Sequence, residues 1–316
     1  MDIDKLSSII VACDNVIITP HKSVDFDALG SALGMYYIAI GMGKDAHIII
    51  EDDKLSHEVN RCIDELINIE GVQICKYSNI KNKITNKSVL VIVDTNISSR
   101  VQNSHLLDIK NVVLIDHHAG ECDVDTNYCW SSTSSSSAVE MVLQLINGLN
   151  VYVPAFAATI MLAGLYIDTN GFIIRTSEMT HYCASMLYKF GVDIKAVQQL
   201  LKQDYDEFKR REELVLNTEF IDDIAISSGN KIYTNVDLAK VCDELMTFDN
   251  VLVAFVIGKL DDNIVGISAR SLGSIDVSLL MSKFGGGGHE NEAACQIKNK
   301  TVKEVKEELI SYLGGV

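Results

Sequence analysis

Three short apolar runs, each ending in charged residues, constrain this chain more than any other feature of its sequence. NVIIT runs into Pro20-His21-Lys22-Ser23-Val24-Asp25-Phe26-Asp27, VLVIV stops at Asp94, and NVVLI stops at Asp116 with His117 and His118 directly behind it. Runs of this length, rich in Val and Ile, read as strands. A helical pattern over Asp27–Gly41, a further apolar run, AHIII, and a second helical pattern near His57–Glu70 lie between them. Such alternation indicates α/β architecture, a parallel sheet with helices on both faces. All strands of a parallel sheet end at the same edge, which is where open α/β sheets bind ligands. The three ends therefore bring three histidines and four carboxylates together.

Taken singly, a strand-terminal Asp is a turn or cap residue, and Asp27 is well placed to cap the helix that follows it. As a cluster these groups repel one another unless a cation sits among them. Asp168, which closes the apolar run AFAATIMLAGLYI, adds a further candidate ligand. Imidazole mixed with carboxylate, without thiolate, suits manganese, iron, cobalt or zinc better than magnesium alone. Two such ions about 3.5 to 4 Å apart would share a carboxylate and clamp a phosphate. The net charge of −16 argues against long nucleic acids as partners, because these are held by many Lys and Arg. A small anion gripped through metal ions escapes that requirement.

The run Ala155–Ile167 is shorter than the roughly 18 to 20 residues of a bilayer span, and the N-terminus opens on acidic residues. A cytoplasmic protein without a membrane segment is therefore expected. The eight cysteines contain no CxxC pair, so reduced thiols packed as small hydrophobes are expected. From Ala138 the pattern turns helical, and the charged stretch QDYDEFKRREE, starting at Gln203, reads as a solvated connecting helix. The expected division is residues 1–200, a connecting helix over 201–219, and a smaller mixed α/β domain over 220–316. In the last, KIYTNV, VLVAFVIGKL, NIVGISAR and ACQIKN read as strands and Val302–Tyr312 as a helix. The run Gly285–Gly288 before His289 is either a flexible linker or a turn whose N–H groups, Gly286 and Gly287 among them, converge on an anion. Arg270 is the basic candidate for a second phosphate. The serines from Ser131 to Ser137 read as a helix cap before Ala138.

At this point HKSVDFD, VIVDT, LIDHH and YIDT resemble, in order and spacing, the four motifs of the DHH phosphoesterase superfamily. The part ending in FGGGGH and Ala293-Ala294 resembles the DHH-associated substrate-binding domain. The stretches GISARSLGSIDVSLLMSKFGGGGH and IDTNGFIIRT are similar to the catalytic module of GdpP-type cyclic di-AMP phosphodiesterases, although Ala119-Gly120 and Glu292 depart from that pattern. The resemblance implies a two-manganese centre, with Co2+ or Fe2+ as alternatives, that opens cyclic di-AMP to linear pApA. His21 and Asp25 would hold one ion, Asp27, His117 and Asp168 the other, and Asp94 both. Asp116 would orient a neighbouring ligand, and His118 would face the phosphate. Arg270, Gly286, Gly287 and His289 would contact the dinucleotide, with the second domain folding over it. A nano-RNase or pAp phosphatase, or a cyclic-dinucleotide-binding module without turnover, stands as the alternative, and a homodimer is left open.

Overall fold

The computed structural model describes residues 1–52, 55–202 and 204–314, and the apolar runs of its first unit, residues 1–202, fold as strands buried on both faces. In chain order the elements are α1 (Ile3–Ala12), β1 (Asn15–Thr19), α2 (Phe26–Gly41), β2 (Asp45–Ile49), α3 (His57–Asn68), β3 (Ile74–Cys75) and α4 (Tyr77–Ile80). β4 (Val89–Val93), β5 (Asn111–Asp116), β6 (Tyr128–Ser131), α5 (Ala138–Leu149), α6 (Ala155–Asp168), α7 (Glu178–Lys189) and α8 (Ile194–Leu200) follow. The six strands form one parallel sheet in the order β3-β2-β1-β4-β5-β6. Successive side chains enter different cores, as the pleat dictates. Val16, Ile18, Val91 and Val93 meet the long helices on one face, while Ile17, Leu90 and Ile92 meet Ile80, Val101 and Leu106 on the other. That second face is covered by the four-residue α4 and by short 3₁₀ turns.

The chain leaves β1 towards β2 and β3, then returns to β4 on the opposite side of β1. The sheet's topological switch therefore lies between β1 and β4, beside His21, Asp25, Asp27 and Asp94. Helix α2 packs closely on α5 and α6. An added Cβ at Gly34 would stand 2.4 Å from Val142 and one at Gly164 2.6 Å from the Phe26 carbonyl, so both positions exclude a side chain. Asp27 and Asp168 are drawn together by that close packing. The run Ala155–Ile167 lies within α6, buried from Ala157 to Leu165. Among the described residues no helix is long and apolar enough to cross a membrane. All eight cysteines are free thiols.

The second unit begins at residue 203. Its elements are α9 (Tyr205–Leu216), β7 (Glu219–Ile221), β8 (Ile224–Ile232), α10 (Asn235–Leu245), β9 (Val253–Lys259), β10 (Ile264–Ser271), α11 (Val277–Lys283), β11 (Gly287–Gly288), β12 (Glu292–Lys298) and α12 (Val302–Leu313). A mixed sheet runs β11-β12-β10-β9-β8-β7, with only β8 and β9 parallel. Two expectations are corrected here. The stretch expected as a solvated connector contains α9, which enters this unit's core through Leu214 and pairs Arg211 with Asp237 at 3.2 Å; Gln203, at its start, lies outside the described residues. KIYTNV is not a strand of its own. Its first two residues end β8, while Thr234 caps α10 in a reciprocal capping box with Asp237.

Candidate metal centre

Each strand end delivers its side chain by a different local device. After β1, the Nδ1 of His21 donates to the Lys22 carbonyl at 2.5 Å, which turns Nε2 towards Asp25 and Asp94 at 3.6 and 3.3 Å. Asp25 is the N-cap of α2: its Oδ1 accepts from the Ala28 N–H at 2.9 Å, leaving Oδ2 towards His21. Asp27, which taken singly would cap that helix, does not do so. Instead its two oxygens accept from Ala138 and Val139 at 2.8 and 2.9 Å, so it caps α5, more than a hundred residues away. The serine run ends in the cap expected of it, with Ser137 the N-cap of α5.

Asp94 ends β4 in the left-handed region, with φ of 61°, a costly conformation that places its carboxylate between two groups. Oδ2 faces His21, and Oδ1 lies 3.3 Å from Nε2 of His117. His117 also lies 3.4 Å from Asp168 and 3.8 Å from Asp27. The structure thus brings together two sets of possible ligand atoms, His21–Asp25–Asp94 and Asp27–His117–Asp168, with a third set, Asp94–His117–His118, overlapping them. Asp116 is fully buried, and its Oδ1 accepts from the Nδ1 of His118 at 2.8 Å. The neighbour it holds is therefore His118, whose side chain is 40% exposed and so open to a ligand.

The electrostatics of these groups call for a cation. Burial alone would lower the basicity of His21, yet Asp25 and Asp94 outweigh it and raise the imidazole to about 10. Asp94 shows the converse: His117 and His21 overcome its burial and hold it below the usual carboxylate range. His117 is pushed up, Asp94 and Asp168 outweighing its burial. Burial and then the charges of neighbouring carboxylates push Asp27 well up and Asp168 to about 7. Protons thus gather where negative charge is crowded. The Oδ1 of Asp94 is buried and faces Nε2 of His117 at 3.3 Å, yet makes no hydrogen bond, which is costly for a buried carboxylate oxygen. A divalent ion on each side of Asp94 would remove both anomalies, so these donors fit metal.

The remaining candidates lie in the second unit. Gly287 and Gly288 form β11, paired in register with Ala294 and Ala293, so the run is an ordered turn and not a linker. His289 follows it in a tight hairpin, its N–H donating to the Glu292 carbonyl at 2.6 Å, with an exposed side chain. Arg270 donates through Nε to Asp243 at 2.7 Å and stands opposite Glu292 across β10 and β12. A phosphate would share that guanidinium with two acids.

Sequence reasoning missed two residues near the first unit's cluster. Gln102, nearly buried, donates to the His21 carbonyl at 2.6 Å and to Asp52 at 3.0 Å, and nothing in its local sequence marks it. Glu140 is the one acid inside the apolar pattern AVEMVLQLI and is buried. That position was the available signal.

The DHH family N-terminal domain matches residues 15–165 and the DHHA1 domain matches residues 221–315. The chain belongs to the DHH phosphoesterase superfamily, with a DHH domain followed by a DHHA1 domain. It is 36% identical, over 98% of its length, to the cyclic-di-AMP phosphodiesterase PdeA of Listeria monocytogenes, of which it spans 48%. The chain thus spans about half the length of that relative. With the bifunctional oligoribonuclease and PAP phosphatase NrnA of Mycoplasma genitalium it is 27% identical, over 91% of this chain and 90% of that one. An exopolyphosphatase-related protein from Bacteroides fragilis has the same fold, with a TM-score of 0.80 at 21% identity over 98% of this chain and 95% of that one.

Proposed function

We propose that this chain is a metal-dependent phosphodiesterase that opens cyclic di-AMP to linear pApA with two manganese ions. The observation that carries the reading is Asp94: its two oxygens face different His and Asp sets, and one of them has no hydrogen bond. The similarity to PdeA over nearly the whole chain supports the cyclic substrate. His21 and Asp25 would hold one ion, Asp27, His117 and Asp168 the other, and Asp94 would bridge them. Bound divalent ions acidify water and neutralise a departing alkoxide. With its Nδ1–H donated to Asp116, His118 turns Nε2 outward, and in the doubly protonated ring this nitrogen would donate to the scissile phosphate. Asp116 holds the ring in that orientation. Through the β11 turn and His289 the second unit would supply backbone and side-chain donors to the dinucleotide, and Arg270, shared with Asp243, would supply a weaker one.

The similarity to NrnA along about nine-tenths of both chains supports a second reading, hydrolysis of linear pApA and of pAp. Incubating one preparation with Mn2+ and, in turn, cyclic di-AMP, pApA and pAp separates the two. Turnover of the cyclic dinucleotide at the highest kcat/KM is expected. Turnover confined to pApA and pAp would move the chain to the second reading, and turnover of none, with the dinucleotide still bound, would make it a binding module.

A further inference from the structure

Glu140 is a buried carboxylate that this chemistry leaves unused. It lies in the first turn of α5, 2% exposed, and its Oε2 accepts from the hydroxyls of Ser136 and Thr180, each at 2.6 Å. The sequence Ser137-Ala138-Val139-Glu140 has the spacing of a capping box, in which the acid would turn back to the N-cap N–H. Here the acid goes elsewhere. One of its partners sits on the turn before α5 and the other in the first turn of α7, so Glu140 ties the start of α5 to a second helix. Two hydroxyl donors on one oxygen satisfy the buried side chain and fix its direction.

That tie has a consequence at the metal centre. Ser136 and Ser137 set the path of the chain into α5, and the next two N–H groups, Ala138 and Val139, are those that grip Asp27. A buried carboxylate held by two N–H groups at a helix start has its direction fixed. We propose that Glu140 is a positioning residue for Asp27: by holding Ser136 against Thr180 it aims the first N–H groups of α5 and so sets the affinity of the ion next to Asp27. The inference rests on the two-ion reading above.

The test is a Mn2+ titration of the full chain followed by electron paramagnetic resonance of the free ion, with no substrate present. Thr180→Val removes one hydroxyl and keeps the shape. It is expected to weaken one of two Mn2+ ions about tenfold, the scale of one buried hydrogen bond to a charge, with the other unchanged. Glu140→Leu should weaken the same ion about a hundredfold. In Glu140→Gln the side-chain oxygen still accepts both hydroxyls, so the affinity should return to within about threefold of the original, which a mere loss of packing would not allow. The thermal midpoint of each variant identifies any that fails to fold, in which case Thr180→Val decides. Equal weakening of both ions, no weakening in Thr180→Val, or a Gln variant as poor as the Leu variant would each overturn the proposal. An unaltered chain that binds fewer than two ions would overturn the reading beneath it, a separate outcome.

Discussion

Buried charge is handled in opposite ways in the two units. In the second, Asp237 is held by the N–H and hydroxyl of Thr234 at 3.0 and 2.9 Å and by Arg211 at 3.2 Å, so both of its oxygens are satisfied within the unit. In the first, Asp27, Asp94, Asp116 and Asp168 crowd around His21, His117 and His118, two carboxyls are pushed up, and one oxygen of Asp94 makes no hydrogen bond. A satisfied network stabilises the fold. An unsatisfied one is held in place by the rest of the fold and offers donors that a cation could take up. The sheet of the first unit, buried on both faces, supplies the rigidity that such a site needs.

The largest break in this comparison comes from Asp94→Asn. The change keeps the size and removes the charge that faces both clusters. Both Mn2+ ions should weaken and turnover of cyclic di-AMP should fall about a thousandfold or more, given the several kcal/mol that metal ions contribute. Metal content of the dialysed variant and a single-turnover assay check this. An Asn variant that holds two ions at near-normal turnover would remove Asp94 from the bridging position.

In the second unit the matching change, Asp237→Asn, should leave metal content unchanged and destabilise the fold by about 2 kcal/mol, because Arg211 loses its nearer buried counter-charge and keeps Glu207 at 3.8 Å. The effect carries a sign in pH. Asp237 is buried, but Thr234 and Arg211 outweigh that and hold its carboxyl below the ordinary value. A carboxyl lowered by folding stabilises the folded state above the unfolded pKa, and that contribution fades as pH falls through the folded one. The difference between the two proteins in urea should thus be full at pH 7 and shrink below about pH 4. A difference constant down to pH 3 would show that packing, not charge, is lost.

How much of this was legible in the sequence follows the same division. The four strands that carry or flank the charged ends were readable, because each is a continuous apolar run, three of them closed by an acid and the first by Pro20-His21. β3 and β6, two and four residues long, carry too little pattern to read. The clustering of His21, Asp25, Asp27, Asp94, His117 and Asp168 was also legible, since a parallel sheet puts strand ends on one edge. What Asp27 holds was not. Its partners, Ala138 and Val139, come to it only through the packing of α2 on α5. In the second unit α10 was missed because KIYTNV alternates like a strand, while Thr234 and Asp237 mark a helix start three residues apart.

His289→Ala should have a smaller effect, and on a different quantity. The side chain is exposed and belongs to a tight hairpin whose hydrogen bonds are made by backbone, so the fold does not depend on the imidazole. Mn2+ content should be unchanged. The apparent affinity for cyclic di-AMP should fall about tenfold, the scale of one hydrogen bond to a charged group, while turnover at saturation largely remains. Loss of metal in this variant would place His289 in the first group of residues and undo the division of labour between the units.

The smallest expected effect separates what the fold needs from what a ligand needs within one turn. An added Cβ at Gly286 would meet the Ala294 carbonyl at 2.2 Å, and one at Gly288, where φ is 149°, the Glu292 carbonyl at 2.4 Å, so both are glycines for the sake of the fold. At Gly287 an added Cβ would meet nothing within 4 Å, and no left-handed φ demands a glycine there. Glycine also weakens a strand through its entropy, so its presence at 287 calls for a reason outside the fold. Close approach of an anion to the backbone is such a reason, since a methyl group there would hold a phosphate away from the N–H groups. Gly287→Ala should therefore leave the thermal midpoint and the Mn2+ content unchanged or slightly improved. Binding of cyclic di-AMP should weaken about fivefold, the range of one imperfect hydrogen bond. Calorimetric titration of the dinucleotide beside a thermal melt gives both numbers from one preparation. Unchanged affinity with an unchanged midpoint would mean that no ligand approaches this strand closely, and the substrate contacts of the second unit would then have to be sought away from the β11 turn.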